Sequence, residues 1–240
     1  WYGCVDGTDW LVDLSIGRIP VASTTELARV VAKVKSFEST PASLEVLLTA
    51  DQTDTNPPPL NFKTASETYL WPPLNAAGYF PSTAYYDDTP VPSLLRSAIA
   101  GGINSGVHLA TYFGHGAADM WSAHNIWNTN DISALSNTYF PIVAIFSCKS
   151  GAFDDAARAS AAEVFVRSQR GAVVCVAPTV LSVQTFAEKI AQGFMEEFTN
   201  QTTRIGDSLN AGLLNLWNWN STAYELLCYQ IFGDPALEKY

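Results

Sequence analysis

Apolar positions in this chain gather into short continuous runs, separated by longer stretches in which apolar and polar residues mix at helical spacing. The runs LEVLLTA (44–50), VHLATYF (107–113), IVAIFS (142–147) and AVVCVA (172–177) are too short for helices and apolar throughout, the pattern of strands buried on both faces. WLVDLSI (10–16), ended by a turn at Gly17-Arg18-Ile19-Pro20, Ser82 to Tyr86, and Tyr224 to Phe232 read as further strands. Between them Leu27, Val30, Val31, Val34 and Phe37 mark a helix capped by Thr24 or Thr25 and closed by Pro41. Ser93 to Ala100 predicts a helix stopped by Gly101-Gly102, and 128–137 a short helix capped by Asn128 or Asn130. An Ala-rich helix is expected over 153–169, and two more over 182–199 and 206–218. Residues 51–63 (DQTDTNPPPLNFK) are polar and Pro-punctuated, hence a loop; 64–79 is partly helical, with Pro72-Pro73 expected to break or end any helix. Strand and helix alternate, which predicts an α/β fold: a mostly parallel sheet with helices on both faces.

Composition narrows the function. With 48% hydrophobic and 15% charged positions over 240 residues, the chain is globular, and ~150 residues per domain allows one large domain or a domain with a small companion. The net charge is -10, and 13 scattered Lys and Arg cannot neutralise a run of phosphates, so nucleic acid is excluded as a partner and an anionic membrane surface would repel the chain. No apolar stretch approaches the ~20 residues that span a bilayer. The chain starts at Trp1, with neither Met nor a basic leader, and reads as a processed or excised piece of something longer. Cys4, Cys148, Cys175 and Cys228 match neither a zinc spacing nor a dense disulfide framework, and no GxGxxG or GxxxxGK[ST] phosphate loop occurs. His108, His115 and His124 make a poor metal set, because His108 lies seven residues back along a strand from His115.

Ligands of open parallel sheets gather at the carboxyl ends of the strands, and three of the expected strands end on useful chemistry: Asp51, His115 and Cys148. A free thiol is mostly protonated at neutral pH; an imidazole beside it stabilises the thiolate and carries the proton, and a carboxylate fixes the imidazole's tautomer. Gly114 and Gly116 flank His115 without side chains, so a substrate backbone can approach and the Gly116 amide can face a reacting carbonyl. Gly151 has a similar opening role after Cys148. Taken singly, a strand-end Cys is ordinarily a small buried filler and a His in a Gly-rich turn an ordinary loop residue. Cys175 and Cys228 fit that bland reading; the three strand ends together raise a Cys-His enzyme to equal standing with it.

The segments TYFGHGAADMW (111–121), FSCKSGAFD (146–154), GAVVCVAPT (171–179) and YQIFGDPAL (229–237) resemble the gingipain family of cysteine peptidases, as does LVDLSIGRIPVASTTEL ahead of them. The resemblance implies a caspase-like three-layer fold, with residues 1–42 the end of an upstream subdomain and 43–240 the catalytic one. It implies Cys148 as nucleophile, His115 as general acid/base, the amides of Gly116 and Cys148 as oxyanion hole, and Asp51 as the acid supporting His115. It further implies a secreted or surface bacterial endopeptidase acting on protein or peptide substrates, flanked by further domains and inserted in no membrane. No cofactor enters the chemistry, though the family sometimes carries a structural calcium. Within the family the alternative is a sortase-like transpeptidase; outside enzymes it is a surface scaffold without turnover. The primary pocket is expected to involve Lys63, Thr179 and Gln184, with Asp54 or Glu67 as other routes to it, and Lys63 argues against cleavage after Arg.

Overall fold

A computed structural model describes residues 2–155, 157–200, 204–221 and 223–238. The chain enters through a two-residue strand, β1 (Gly17–Arg18), and a long helix, α1 (Thr24–Ser39). Next come β2 (Glu45–Ala50), α2 (Phe62–Tyr69), α3 (Trp71–Ala76), β3 (Phe80–Tyr85), α4 (Pro92–Ser105) and β4 (Leu109–Phe113). A small hairpin, β5 (Met120–Trp121) with β6 (Trp127–Asn128), and α5 (Thr129–Ser133) lead into β7 (Ile142–Phe146), α6 (Ala161–Arg167) and β8 (Val174–Pro178). The described part closes with α7 (Gln184–Phe198), α8 (Ile205–Trp219), the single turn α9 (Ala223–Leu226) and β9 (Tyr229–Phe232).

Seven of the strands form one sheet in the order β1-β9-β8-β7-β4-β2-β3. β3, β2, β4, β7 and β8 are parallel; β9 turns back antiparallel to β8 and takes β1 on its outer edge. Alternation along each strand feeds two cores. Val46, Leu48 and Ala50 join Phe113, Phe146, Phe194 and Leu213 on the face covered by α2, α7 and α8, while Leu47, Ala110, Tyr112 and Cys175 join Ile99, Ile103 and Phe165 under α4 and α6. Every residue of β4, β7 and β8 is buried, which is why their sequences carry no polar face.

Several elements depart from the sequence reading, each for a local reason. Residues 10–16 make no strand: the Gly3 carbonyl accepts the amides of Asp13 and Leu14, the Asp13 carboxylate accepts those of Val5 and Asp6, and only Gly17 and Arg18 reach the sheet. Ser23, not a threonine, caps α1 by accepting from the Glu26 amide. Gly101-Gly102 does not stop α4, because burying Leu95, Ile99 and Ile103 outweighs the roughly 1 kcal/mol cost of each helical glycine, and Gly102 lies against Leu47. The helix ends at Gly106, whose φ of 99° is left-handed. Pro72 and Pro73 sit in the first turn of α3, where missing amides are no loss. The Ala-rich helix shortens to α6, since Asp155 draws the Ala157 amide into a turn and the Ser160–Glu163 capping box fixes the start. Tyr224 falls in α9, and the final strand waits until Tyr229.

Candidate active site

Sheet register builds the site. Ala50 pairs with Phe113 and Phe113 with Phe146, so β2, β4 and β7 stop level and the residues after them emerge side by side. The ladder runs one step further, with the Asp51 amide donating to the Phe113 carbonyl at 2.9 Å and the Gly114 amide to the Phe146 carbonyl at 3.3 Å. His115 and Cys148 both border one pocket of about 160 Å³, walled by Leu60, Phe62, Phe146 and Ala187.

Cys148 is half-buried. Its thiol donates to the Ser182 carbonyl at 3.3 Å, and the Ser182 amide approaches Sγ at 3.5 Å. The next residue, Lys149, holds a left-handed φ of 57° while its amide reaches the Val180 carbonyl, so the chain turns sharply just past the sulfur. The loop facing Cys148 is itself clamped: buried Glu225 accepts from the Ser182 hydroxyl at 3.1 Å and the Val183 amide at 3.0 Å. Burial pushes the Glu225 carboxyl above its ordinary value, against those two donors.

His115 is anchored through its backbone and left open at its ring. Its carbonyl accepts from the Tyr112 hydroxyl at 2.7 Å and the Ser122 amide at 2.8 Å, and its amide donates to Asp51 Oδ2 at 3.2 Å. The imidazole is half-exposed, meets the edge of Phe62 with centroids 5.1 Å apart, and places Nε2 3.2 Å from Asp54 Oδ2. The expected contact between Asp51 and the ring is therefore corrected. Asp51 is buried at 2% exposure and its oxygens are taken by the amides of Gln52 and His115, whereas Asp54, three residues on, reaches over the ring. The Asn56 amide and then the His115 contact hold the Asp54 carboxyl below its usual range, so it stands ionised. Its loop folds back as a tight arch, with Asp54 and Leu60 exchanging both backbone hydrogen bonds.

Gly116 faces Trp121 in a wide antiparallel pair whose hydrogen bonds fall on the neighbouring residues, leaving the Gly116 amide without a protein acceptor among the described residues. A side chain there would collide with the Ser147 hydroxyl and the Cys148 carbonyl, which is how closely this turn approaches the cysteine loop. The Gly151 expectation is corrected: a Cβ there would strike the Phe232 ring, so this glycine serves packing.

Of the expected pocket residues, only Gln184 lines the pocket. Lys63 turns outward into an ion pair with Asp88 at 2.5 Å, and both the amide and hydroxyl of Thr179 bind the Cys228 carbonyl, tying β8 to the start of β9. The reason lies in one helical step. Asn61 caps α2, so Phe62 at its first position points inward and Lys63, about 100° further round, points to solvent. Sequence reasoning missed Leu60, Phe62 and Ser182; the signal for the first two was the apolar pair inside an otherwise polar loop, and Ser182 left none. Neither Asp54 nor Glu67 lines this pocket.

The remaining candidates lie in the core. Burial drives the Cys175 thiol strongly upward, and burial with neighbouring Glu225 pushes Cys228 up to about 12, so neither is poised as a thiolate. His108 packs against Phe37 and bonds the Tyr139 hydroxyl at 2.7 Å. No three or more His, Cys, Asp or Glu among the described residues are grouped to hold a metal ion. Among them no helix is long and apolar enough to cross a membrane.

The model of peptidase family C25 matches residues 1–240, the whole sequence. The chain belongs to peptidase family C25. Its fold is shared with the crystal structure of the Arg-specific cysteine proteinase gingipain R, at 20% identity over 99% of this chain and 58% of that one, with a TM-score of 0.85. A complex of the pro- and mature domains of the Porphyromonas gingivalis enzyme RgpB matches at 21% identity over 98% and 59%, with a TM-score of 0.83. A more distant likeness, at 12% identity and a TM-score of 0.62, covers 95% of this chain and 14% of a chain in the separase-securin complex of Saccharomyces cerevisiae. The chain thus spans under three-fifths of the gingipain chains it matches. No curated protein matches it.

Proposed function

We propose that this C25 chain is the catalytic portion of a cysteine endopeptidase, working outside a bacterial cell on protein or peptide substrates and needing no cofactor for the chemistry. The observation that carries the reading is the convergence of Cys148, His115 and Asp54 on one rim of the parallel sheet, with an amide left open at Gly116.

An ionised Asp54 can only accept, so Nε2 of His115 carries the hydrogen and Nδ1 is left to take the Cys148 proton. The thiolate attacks the scissile carbonyl and forms a carbon–sulfur bond. The carbonyl π bond breaks and its electron pair passes to the oxygen, which the amides of Gly116 and Cys148 receive. Collapse breaks the carbon–nitrogen bond, His115 returning its proton to the departing amine. Water, deprotonated by His115, then hydrolyses the thioester. Asp51 and Tyr112 hold the His115 backbone from either side, positioning the ring without touching it.

The test joins cleavage of a mixed peptide library to intact-mass alkylation. Cys148→Ala should abolish both turnover and selective alkylation, while the folded protein remains. Turnover persisting in that variant would remove the reading. Added amine nucleophiles separate hydrolysis from transfer, and this reading expects a free carboxylate as the main product.

A further inference from the structure

We propose that the pocket beside Cys148 selects an uncharged, largely apolar side chain immediately before the cut, and that Gln184 enforces this choice; the proposal rests on the peptidase reading above. The walls are Leu60, Phe62, Phe146 and Ala187, with Phe62 and Phe146 each no more than 3% exposed. Apart from His115, no ionisable side chain other than Cys148 borders this space. The nearest charges lie behind the walls or outside them and are already engaged: Glu188 with Gln184, Glu225 with Ser182 and Val183, Lys63 with Asp88, and Asp54 with His115 and Asn56. A cationic side chain entering here would shed its water and meet no carboxylate on the lining, and an anionic one no lining Lys or Arg.

Gln184 sharpens the choice. It occupies the first position of α7, and its Nε2 donates to Glu188 Oε1 at 2.7 Å. A carboxylate accepts only, so this bond fixes which end of the amide is which. The other end, Oε1, is buried without a hydrogen-bond partner. A substrate donor would have to open the wall to reach it, and the setting as it stands suits Leu or Phe.

Peptides of one sequence carrying Leu, Phe, Gln, Arg, Lys or Asp before the cut, assayed for kcat/KM with the 1–240 chain, test this. The neutral members should exceed Arg, Lys and Asp by at least about tenfold. Gln184→Glu replaces the donor to Glu188 by a second carboxylate, which that repulsion turns towards the pocket, and should raise the Arg-to-Leu ratio at least about tenfold. Arg or Lys leading in the unmodified chain, with Cys148→Ala inactive, would overturn the selectivity and leave the peptidase reading standing. An unchanged profile in Gln184→Glu would overturn the role of Gln184. No cleavage of any member, with Cys148 alkylated no faster than an ordinary thiol, would take down both.

Discussion

Asp51 and Asp54 hold different halves of His115, so replacing each one separates anchoring of the backbone from orientation of the ring. Asp54→Asn keeps the size of the side chain, bonds an exposed loop, and removes the charge facing Nε2. It should lower kcat by about 10 to 100-fold while the unfolding free energy moves by less than ~1 kcal/mol. Asp51→Ala strips the acceptor from two amides at a buried position and should cost about 2–4 kcal/mol of stability as well as activity. Equal activity loss from the two variants with no difference in thermal unfolding would contradict this division. The residues Cys148 and His115 were legible in the sequence because they follow apolar runs, and parallel strands carry such residues to one edge of the sheet, where the register then sets them level. Asp51 was legible only as a position. Which carboxylate meets the ring depends on how the 54–60 arch folds, and the sequence shows only that a loop is there. Phe62 and Lys63 differ by a single helical step, which no pattern of polarity over a Pro-rich loop can fix.

At the scale of elements, α1 and α6 are joined by an unusual device that the helical pattern alone did not announce. Lys33 is 2% exposed, and its Nζ donates to the carbonyls of Val166 and Ala172 at 2.5 and 2.7 Å, with Phe165 at 3.3 Å. It thereby satisfies the Val166 carbonyl in the last turn of α6 and the Ala172 carbonyl ahead of β8, and shares the Phe165 carbonyl with the Ala172 amide. Burial drives the ammonium down to about 7 from its ordinary 10.5. The folded state then binds fewer protons than the unfolded chain between those two values, so this group's contribution makes stability rise as pH climbs from about 7 towards 10. Below pH 7 both states hold the proton and the contribution is flat. Lys33→Met should remove the rise, and it should cost roughly 2–4 kcal/mol at pH 7 because the carbonyls lose their donor. Denaturant titrations of both proteins at pH 6, 7, 8 and 9 would show it; parallel stability curves for the two would contradict it. Such a residue reads in sequence as one more polar position on α1. Its burial follows from which helix lies across it, just as α4 runs through two glycines because Leu47 lies beneath Gly102.

The architecture of the whole molecule was the most legible level, since uniformly apolar strands alternating with helices leave few arrangements besides a parallel sheet with two covered faces. Strand order and the reversal of β9 were not legible, because they depend on pairings between residues far apart in the chain. They matter for how residues 1–42 relate to the rest. β1 pairs with β9, and the Arg18 carbonyl accepts the Gly233 amide at 2.7 Å, just after the last strand. Val30 and Phe37 of α1 enter the two cores of the sheet, and Lys33 closes the end of α6. A chain cut to 43–240 would uncover those apolar surfaces and take the Lys33 donor from the Val166 and Ala172 carbonyls. Burial of two large side chains contributes about 1.5–3 kcal/mol each, and the orphaned carbonyls add to that, so the loss is on the order of 5 kcal/mol or more. For a domain of ordinary marginal stability this is most of the margin. The 1–240 chain should therefore unfold in one transition, and 43–240 should be unfolded or aggregated at 25 °C. A 43–240 chain that melts cooperatively within a few degrees of the whole would show residues 1–42 to be a separable unit, with the helix lying against the sheet but contributing little to it.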